Sequence, residues 1–96
     1  MLSQKKADKL RDEISRLRKK GGIKARELEA IASGIGRKRK DEKGKEPRWE
    51  HPEYGRDLRP LTIPNHSGDL KRFTARNILD QLESDLDWLE EAGKIR

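Results

Sequence analysis

The chain has 96 residues, 44% of them charged and 30% hydrophobic, with a formal net charge of +6. So short a chain holds one small core at most, and the absence of cysteine excludes a disulfide framework and a cysteine-ligated zinc. No apolar run approaches the ~20 residues of a membrane span, and the charged N-terminus lacks the apolar stretch of a secretory signal, so a cytoplasmic protein is expected.

The charge is divided unevenly. Residues 1–45 carry 16 Lys and Arg against 7 Asp and Glu, whereas residues 46–96 carry 8 against 11. A basic half beside an acidic half suggests a polyanionic partner for the first. Solvated lysines that only keep a small domain soluble would give the same balance.

In chain order, residues 4–20 read as a helix, with Ala7, Leu10, Ile14 and Leu17 recurring at the spacing of one face. Ser3 is a candidate N-cap, the RLRKK end suits a helix C-terminus, and Gly21-Gly22 stop it. The apolar stripe is narrow, which suggests a helix laid loosely on the domain, with a mobile arm or a docking helix as alternatives. Residues 24–33 predict a second helix with Leu28, Ile31, Ala32 and Ile35 on its buried side, ended by Gly34 and Gly36. The cations Arg37 to Lys40 follow, DEKG offers a turn, and a strand can resume through Arg48-Trp49-Glu50-His51.

HPEYGRD is a second turn signal. Leu58, Leu61 and Ile63 then suggest a strand, placed at an edge by Pro60 and closed by Pro64-Asn65. TARNILDQLESDLDWLEE is the strongest helix, with Ala75, Ile78, Leu79, Leu82, Leu86 and Leu89 on one side. Thr74 is its expected N-cap, with Phe73 stapled onto Ile78. Its acidic residues, Glu83, Asp85, Asp87, Glu90 and Glu91, are expected to face Arg16, Arg18, Lys19 and Lys20 of the first helix. The order helix, helix, three short strands, helix predicts an α+β fold, a small antiparallel sheet covered on one face by helices.

Within this order, KARELEAIASGIGRKRK, GKEPRWEHPEYG and above all IPNHSGDLKRFTARNIL resemble HicA, the small toxin of HicA–HicB toxin–antitoxin pairs. The residues that carry the resemblance are Pro64, His66, Asp69-Leu70-Lys71, Thr74 and Ile78-Leu79. It implies a dsRBD-like fold, a three-stranded antiparallel sheet with helices packed on one face. On it the chain divides into a basic N-terminal helix at 1–22, a HicA-like domain with an extended C-terminal helix at 23–92, and a tail at 93–96. The resemblance also implies an endoribonuclease (an mRNA interferase) silenced by a HicB-type antitoxin and acting without a cofactor. Its catalytic histidine lies in a Gly-Ser-His-type motif on the second strand.

That motif maps onto Gly44-Lys45-Glu46, so the histidine position holds Glu46. RNA cleavage without a metal needs one group to accept the proton of the 2′-hydroxyl and one to protonate the leaving oxygen, tasks that suit a side chain titrating near neutrality. A solvated glutamate titrates at about 4.3 and suits neither. Three readings follow: a weakened or inactive relative, a chain that uses Glu46 with His51 or His66, or one carrying an inactivating substitution.

His51 is a candidate acid–base residue displaced along the strand, or a histidine bonded to turn backbone. His66 is placed by the resemblance near the substrate, with turn stabilisation as the alternative. Their separation matches no zinc-type spacing, and no metal is expected. RNA contact is assigned to Arg37, Lys38, Arg39, Lys40, Lys43, Lys45 and Arg48. On a strand only alternate residues share a face, so Arg37 acts with Arg39 or Lys38 with Lys40. A lysine-protected edge strand would look similar. Trp49 stacks on a base or packs between sheet and helices, and Trp88 anchors a partner or covers the first helix. A non-catalytic RNA- or antitoxin-binding module remains an alternative function. A weaker one is a helix-turn-helix DNA binder built on the first two helices.

Overall fold

A computed structural model describes residues 2–96. It comprises helices α1 (Gln4–Arg18) and α2 (Ala25–Ile35), strands β1 (Lys38–Lys40), β2 (Arg48–Glu50) and β3 (Leu61–Thr62), and helix α3 (Arg72–Glu91). The strands form one antiparallel sheet in the order β1-β2-β3, so the fold is α+β as the residue pattern predicts, and compatible with a dsRBD-like arrangement.

Helix α1 begins at Ser3, whose hydroxyl accepts the Lys6 N–H at 3.1 Å. It is an integral part of the core rather than a loose cover, because Ala7, Ile14 and Leu17 are fully buried against the other helices. The stripe is narrow but complete, since α1 meets both α2 and α3 and needs few apolar residues to fill the groove between them. Its outer charges are tied to α3 through Arg11, which binds Asp87 and Glu90, and Arg18, which binds Asp80 and Glu83. Arg16 and Lys20 turn instead to Glu27 of α2. The two ends of the chain also meet, with Leu2 bridged to Ile95 and the Arg96 N–H bonded to the Leu2 carbonyl at 2.9 Å.

Helix α2 runs through Gly34 to Ile35 and stops only at Gly36, whose φ of 115° is the left-handed conformation glycine supplies. Gly34 serves packing instead, since a Cβ there would lie 2.8 Å from Leu10 Cδ2 on α1.

Helix α3 starts at Arg72, with Lys71 as N-cap, so Thr74 lies inside its first turn. The chain ahead of it is pinned by a bridge between Lys24 and Asp69 and by the Leu70 N–H bonded to the Ile23 carbonyl at 2.8 Å. That early start leaves Phe73 on the side away from the Ala75, Ile78, Leu79 and Leu82 stripe, and it is 74% exposed rather than stapled onto Ile78. The third strand is shorter than the apolar pattern suggests. Leu58 is buried but closes a turn onto the Tyr54 carbonyl, and only Leu61–Thr62 pair with β2.

Candidate nucleic-acid interface

The sheet register decides which cations can act together. Arg39 lies opposite Trp49, and Trp49 opposite Leu61, while Lys40 lies opposite Arg48 and Arg48 opposite Thr62. Trp49 and Leu61 are buried, so their row faces the helices, and Arg39 on that row pairs with Glu29 of α2. The other row, Lys38 and Lys40 on β1 with Arg48 on β2, stands on the open face, where Lys38, Lys40 and Arg48 are exposed.

Like charges directly opposite one another oppose strand pairing, and here Lys40 faces Arg48. Glu50 moderates that repulsion, its carboxylate 3.5 Å from Lys40 and 3.0 Å from Arg48. Lys38 has no ion pair among the described residues, so the open face carries three cations and one carboxylate.

Arg37, expected among the RNA contacts, is removed from any surface role. Its side chain is fully buried, with Nε and Nη2 donating to the Asp85 carboxylate at 2.7 and 3.0 Å. Its Nη1 donates to the carbonyls of Trp49 and Arg59 at 2.7 and 2.8 Å. Asp85 accordingly faces Arg37 and not the cations of α1; it also accepts from Gln81 at 3.1 Å. The reason is position. Asp85 falls on the same helical stripe as Ile78, Leu82 and Leu89, and Arg37 on the inward side of the chain entering β1.

Residues 41–47 connect β1 to β2 as an exposed loop that turns at Lys43-Gly44, closed off by the buried Pro47. Glu46 is exposed and precedes β2 instead of lying within it. Arg39, Asp41, Glu42, Lys45, Glu46 and Asn65 line a surface cavity of about 350 Å3 at the same end of the sheet. Lys45 pairs with Glu42 at 3.3 Å and Arg39 with Asp41 at 2.9 Å. Lys43 has no ion pair among the described residues. Asp41, Glu42 and Asn65 are members of this cavity that sequence reasoning missed as site residues; their only signals are the DEKG turn and the end of the third strand.

Neither histidine lines that cavity. His51 is buried, and its Nδ1 accepts the backbone N–H groups of Glu53 and Tyr54, each at 3.2 Å. Burial depresses its pKa below 6.5, with the charge of Glu53 acting the other way. His66 is exposed and accepts the Gly68 N–H on Nδ1 at 3.0 Å. Both therefore hold turns. Trp88 is partly buried, its ring tilted on Tyr54 at 5.4 Å, while Tyr54 stacks on His51 at 4.8 Å. Trp88 thus braces the turn after β2. Trp49 packs in the core and is not free to stack on a base. The second helix of a helix-turn-helix would be α2, whose exposed positions are Arg26, Ala30 and Ser33, a poor set for reading base edges.

Residues 25–83 match the family model of the HicA toxin of bacterial toxin–antitoxin systems. The chain belongs to the HicA toxin family. The match runs from α2 through the sheet into the first half of α3, so α1 and the distal turns of α3 lie outside the HicA segment. No curated protein and no solved structure matches the chain. The ion pair between Arg37 and Asp85 therefore joins a residue of the HicA segment to one beyond it, as does the contact of Tyr54 with Trp88. No helix among the described residues is long and apolar enough to cross a membrane.

Proposed function

We propose that this member of the HicA toxin family is a metal-independent endoribonuclease that holds single-stranded RNA on the open face of its sheet and is silenced by a HicB-type antitoxin. The observation that carries this reading is the row of Lys38, Lys40 and Arg48, three cations against the single Glu50 carboxylate, beside the cavity that contains Glu46. A sheet face that opposes lysine to arginine across two strands gives up strand stability for a cationic surface, and a phosphate backbone is the ligand that repays it.

RNA crossing that face brings a phosphate to the cavity, where Lys45 supplies positive charge to the phosphoryl oxygens. The ribose 2′-oxygen attacks the adjacent phosphorus, the bond to the 5′-oxygen breaks, and a cyclic phosphate and a free 5′-hydroxyl remain. The 2′-hydroxyl proton passes to a base and the leaving oxygen takes one from an acid. Glu46 occupies the position that the family resemblance assigns to that base, and it is exposed.

A second reading has a specific observation in its favour: an exposed carboxylate beside phosphate repels substrate and is a weak base. On that reading the chain binds RNA, or an antitoxin, without cutting.

Expression of the parent chain and of Glu46→His separates the readings. Growth arrest with RNA degradation by either supports the ribonuclease. Intact RNA with salt-sensitive binding by both supports the binding module. Absence of binding and of cleavage in both removes the RNA reading altogether.

A further inference from the structure

Away from the sheet, two shallow cavities adjoin where α1 ends, the chain turns through Gly21-Gly22 and α3 begins. One, of about 410 Å3, is lined by Lys19, Lys20, Ile23, Leu70, Arg72 and Ala75, with Gly21 and Gly22 between the lysines and Ile23. The other shares Lys20, Ile23 and Arg72 and adds Arg18, Arg76 and Leu79. No carboxylate lines either one.

The carboxylates of the surroundings are already engaged. Glu27 holds Lys20, Asp69 holds Lys24, and Asp80 and Glu83 hold Arg18. Lys19, Arg72 and Arg76 are left exposed, with no ion pair among the described residues. Beside Arg72 stands Phe73, 74% exposed, the one large hydrophobic side chain left in solvent among the described residues. The joint is firmly built, because the Leu70–Ile23 hydrogen bond and the Lys24–Asp69 bridge hold its two sides in register.

The chemistry of the lining selects the ligand. The floor is aliphatic, and the polar side chains on the walls are cations, which donate hydrogen bonds and accept none. A nucleobase seeks a flat aromatic floor and acceptors as well as donors for its edge; the floor of these cavities is aliphatic, their polar side chains only donate, and Phe73 lines neither of them. An aliphatic or aromatic side chain fits the floor, and carboxylates on either side of it fit the walls. Arginine is also among the residues that carry most energy at protein interfaces, and phenylalanine is enriched in them.

We propose that the cleft between α1 and α3 is a docking surface for an acidic protein segment. Such a segment seats an apolar side chain on Ile23 and Leu70 and its Asp or Glu residues on Lys19, Arg72 and Arg76. The surface is separate from the cationic sheet face, and it stands whether or not this chain cuts RNA.

The test is to pan a displayed random-peptide library on the full chain. A labelled synthetic peptide with leucine set among Asp and Glu is then titrated, with an oligouridylate as competitor. The expected result is enrichment of apolar residues flanked by acids, and binding of the peptide that weakens with salt. Arg72→Glu with Arg76→Glu lowers that affinity at least about tenfold while the circular dichroism spectrum is unchanged, and Lys38→Glu with Lys40→Glu leaves it within about twofold. No acidic–apolar enrichment, or equal binding by the Arg72/Arg76 variant, would overturn the proposal. Stronger displacement by oligouridylate than by unlabelled peptide would assign the cleft to nucleic acid and overturn it too. So would dimerisation of the chain that the same double substitution abolishes.

Discussion

Arg37 at the entry to β1 and Asp85 in α3 form a fully buried bidentate pair, although 48 positions separate them in the chain. The guanidinium also reaches two carbonyls, those of Trp49 on β2 and Arg59 before β3. One side chain thus ties the sheet to the helix that covers it. Four well-directed donor bonds offset much of the cost of taking both charges out of water.

Removing one partner strands the other charge in the core. Asp85→Ala is expected to lose about 3–5 kcal/mol of stability. The double replacement Arg37→Met with Asp85→Leu is expected to recover most of that loss, because two apolar side chains leave no buried charge. Urea denaturation of the Asp85→Ala variant and the double variant checks this; an Asp85→Ala protein as stable as the parent would show that the pair is dispensable.

The narrow stripe of α1 is expected to bear more weight than its length suggests. Leu17→Ala should cost about 2–5 kcal/mol, the range for a truncation in a closed core. Substitution of exposed Lys5 should change almost nothing. Equal thermal midpoints for the two variants would mean that α1 is a detachable arm after all.

Two neighbouring glycines should respond differently to alanine. At Gly36 a Cβ meets a left-handed backbone and the buried His51 Nε2 at 2.9 Å, so Gly36→Ala is expected to destabilise by about 1–3 kcal/mol. At Gly34 the new methyl meets only the end of the Leu10 side chain, and the gain in helix propensity, about 1 kcal/mol, offsets its displacement. Thermal unfolding of both variants should rank Gly36→Ala clearly lower.

His51 predicts the shape of the stability–pH curve. Burial depresses its folded-state pKa below the ordinary 6.5, so between the two values the unfolded chain binds more protons than the folded one. Its contribution is therefore complete above about pH 6.5 and is lost as the pH falls from there toward the depressed folded value. Denaturation midpoints measured from neutrality to mildly acid pH should decline, and His51→Gln should flatten this part of the decline. An unchanged slope in that variant would show that other groups set it.

On the open sheet face, Lys38→Ala and Lys40→Ala should each weaken RNA binding and reduce the dependence of log affinity on log salt by about one. Glu50→Gln should strengthen binding, since it frees Lys40 and Arg48 from their shared carboxylate. Filter binding across a salt series reads both effects. Lysine variants with unaltered salt slopes would move the RNA elsewhere.

Much of this molecule was legible in the residues because the signals were local. Apolar spacing marked all three helices, Ser3 capped the first as expected, and a strand resumed between two turns at 48–50, one residue short of His51. The HicA motif was legible for the same reason, as a run of nearby residues. Thr74 and Phe73 misled because a good cap sequence sat three residues inside a helix whose start was fixed from outside, by the Ile23–Leu70 bond.

The sequence by itself determined the element order, the excess of cations in the first half and the residue types around the loop at 41–47, all properties of neighbours along the chain. Tertiary structure decided which cations share a face, that Arg37 belongs to the core, that Asp85 answers it across the fold, and that His51 and His66 hold turns. Those are outcomes of register and burial. Whether an arginine next to three other cations meets water or a carboxylate depends on the pleat of its strand and on a helix stripe far along the chain, and no local window contains both.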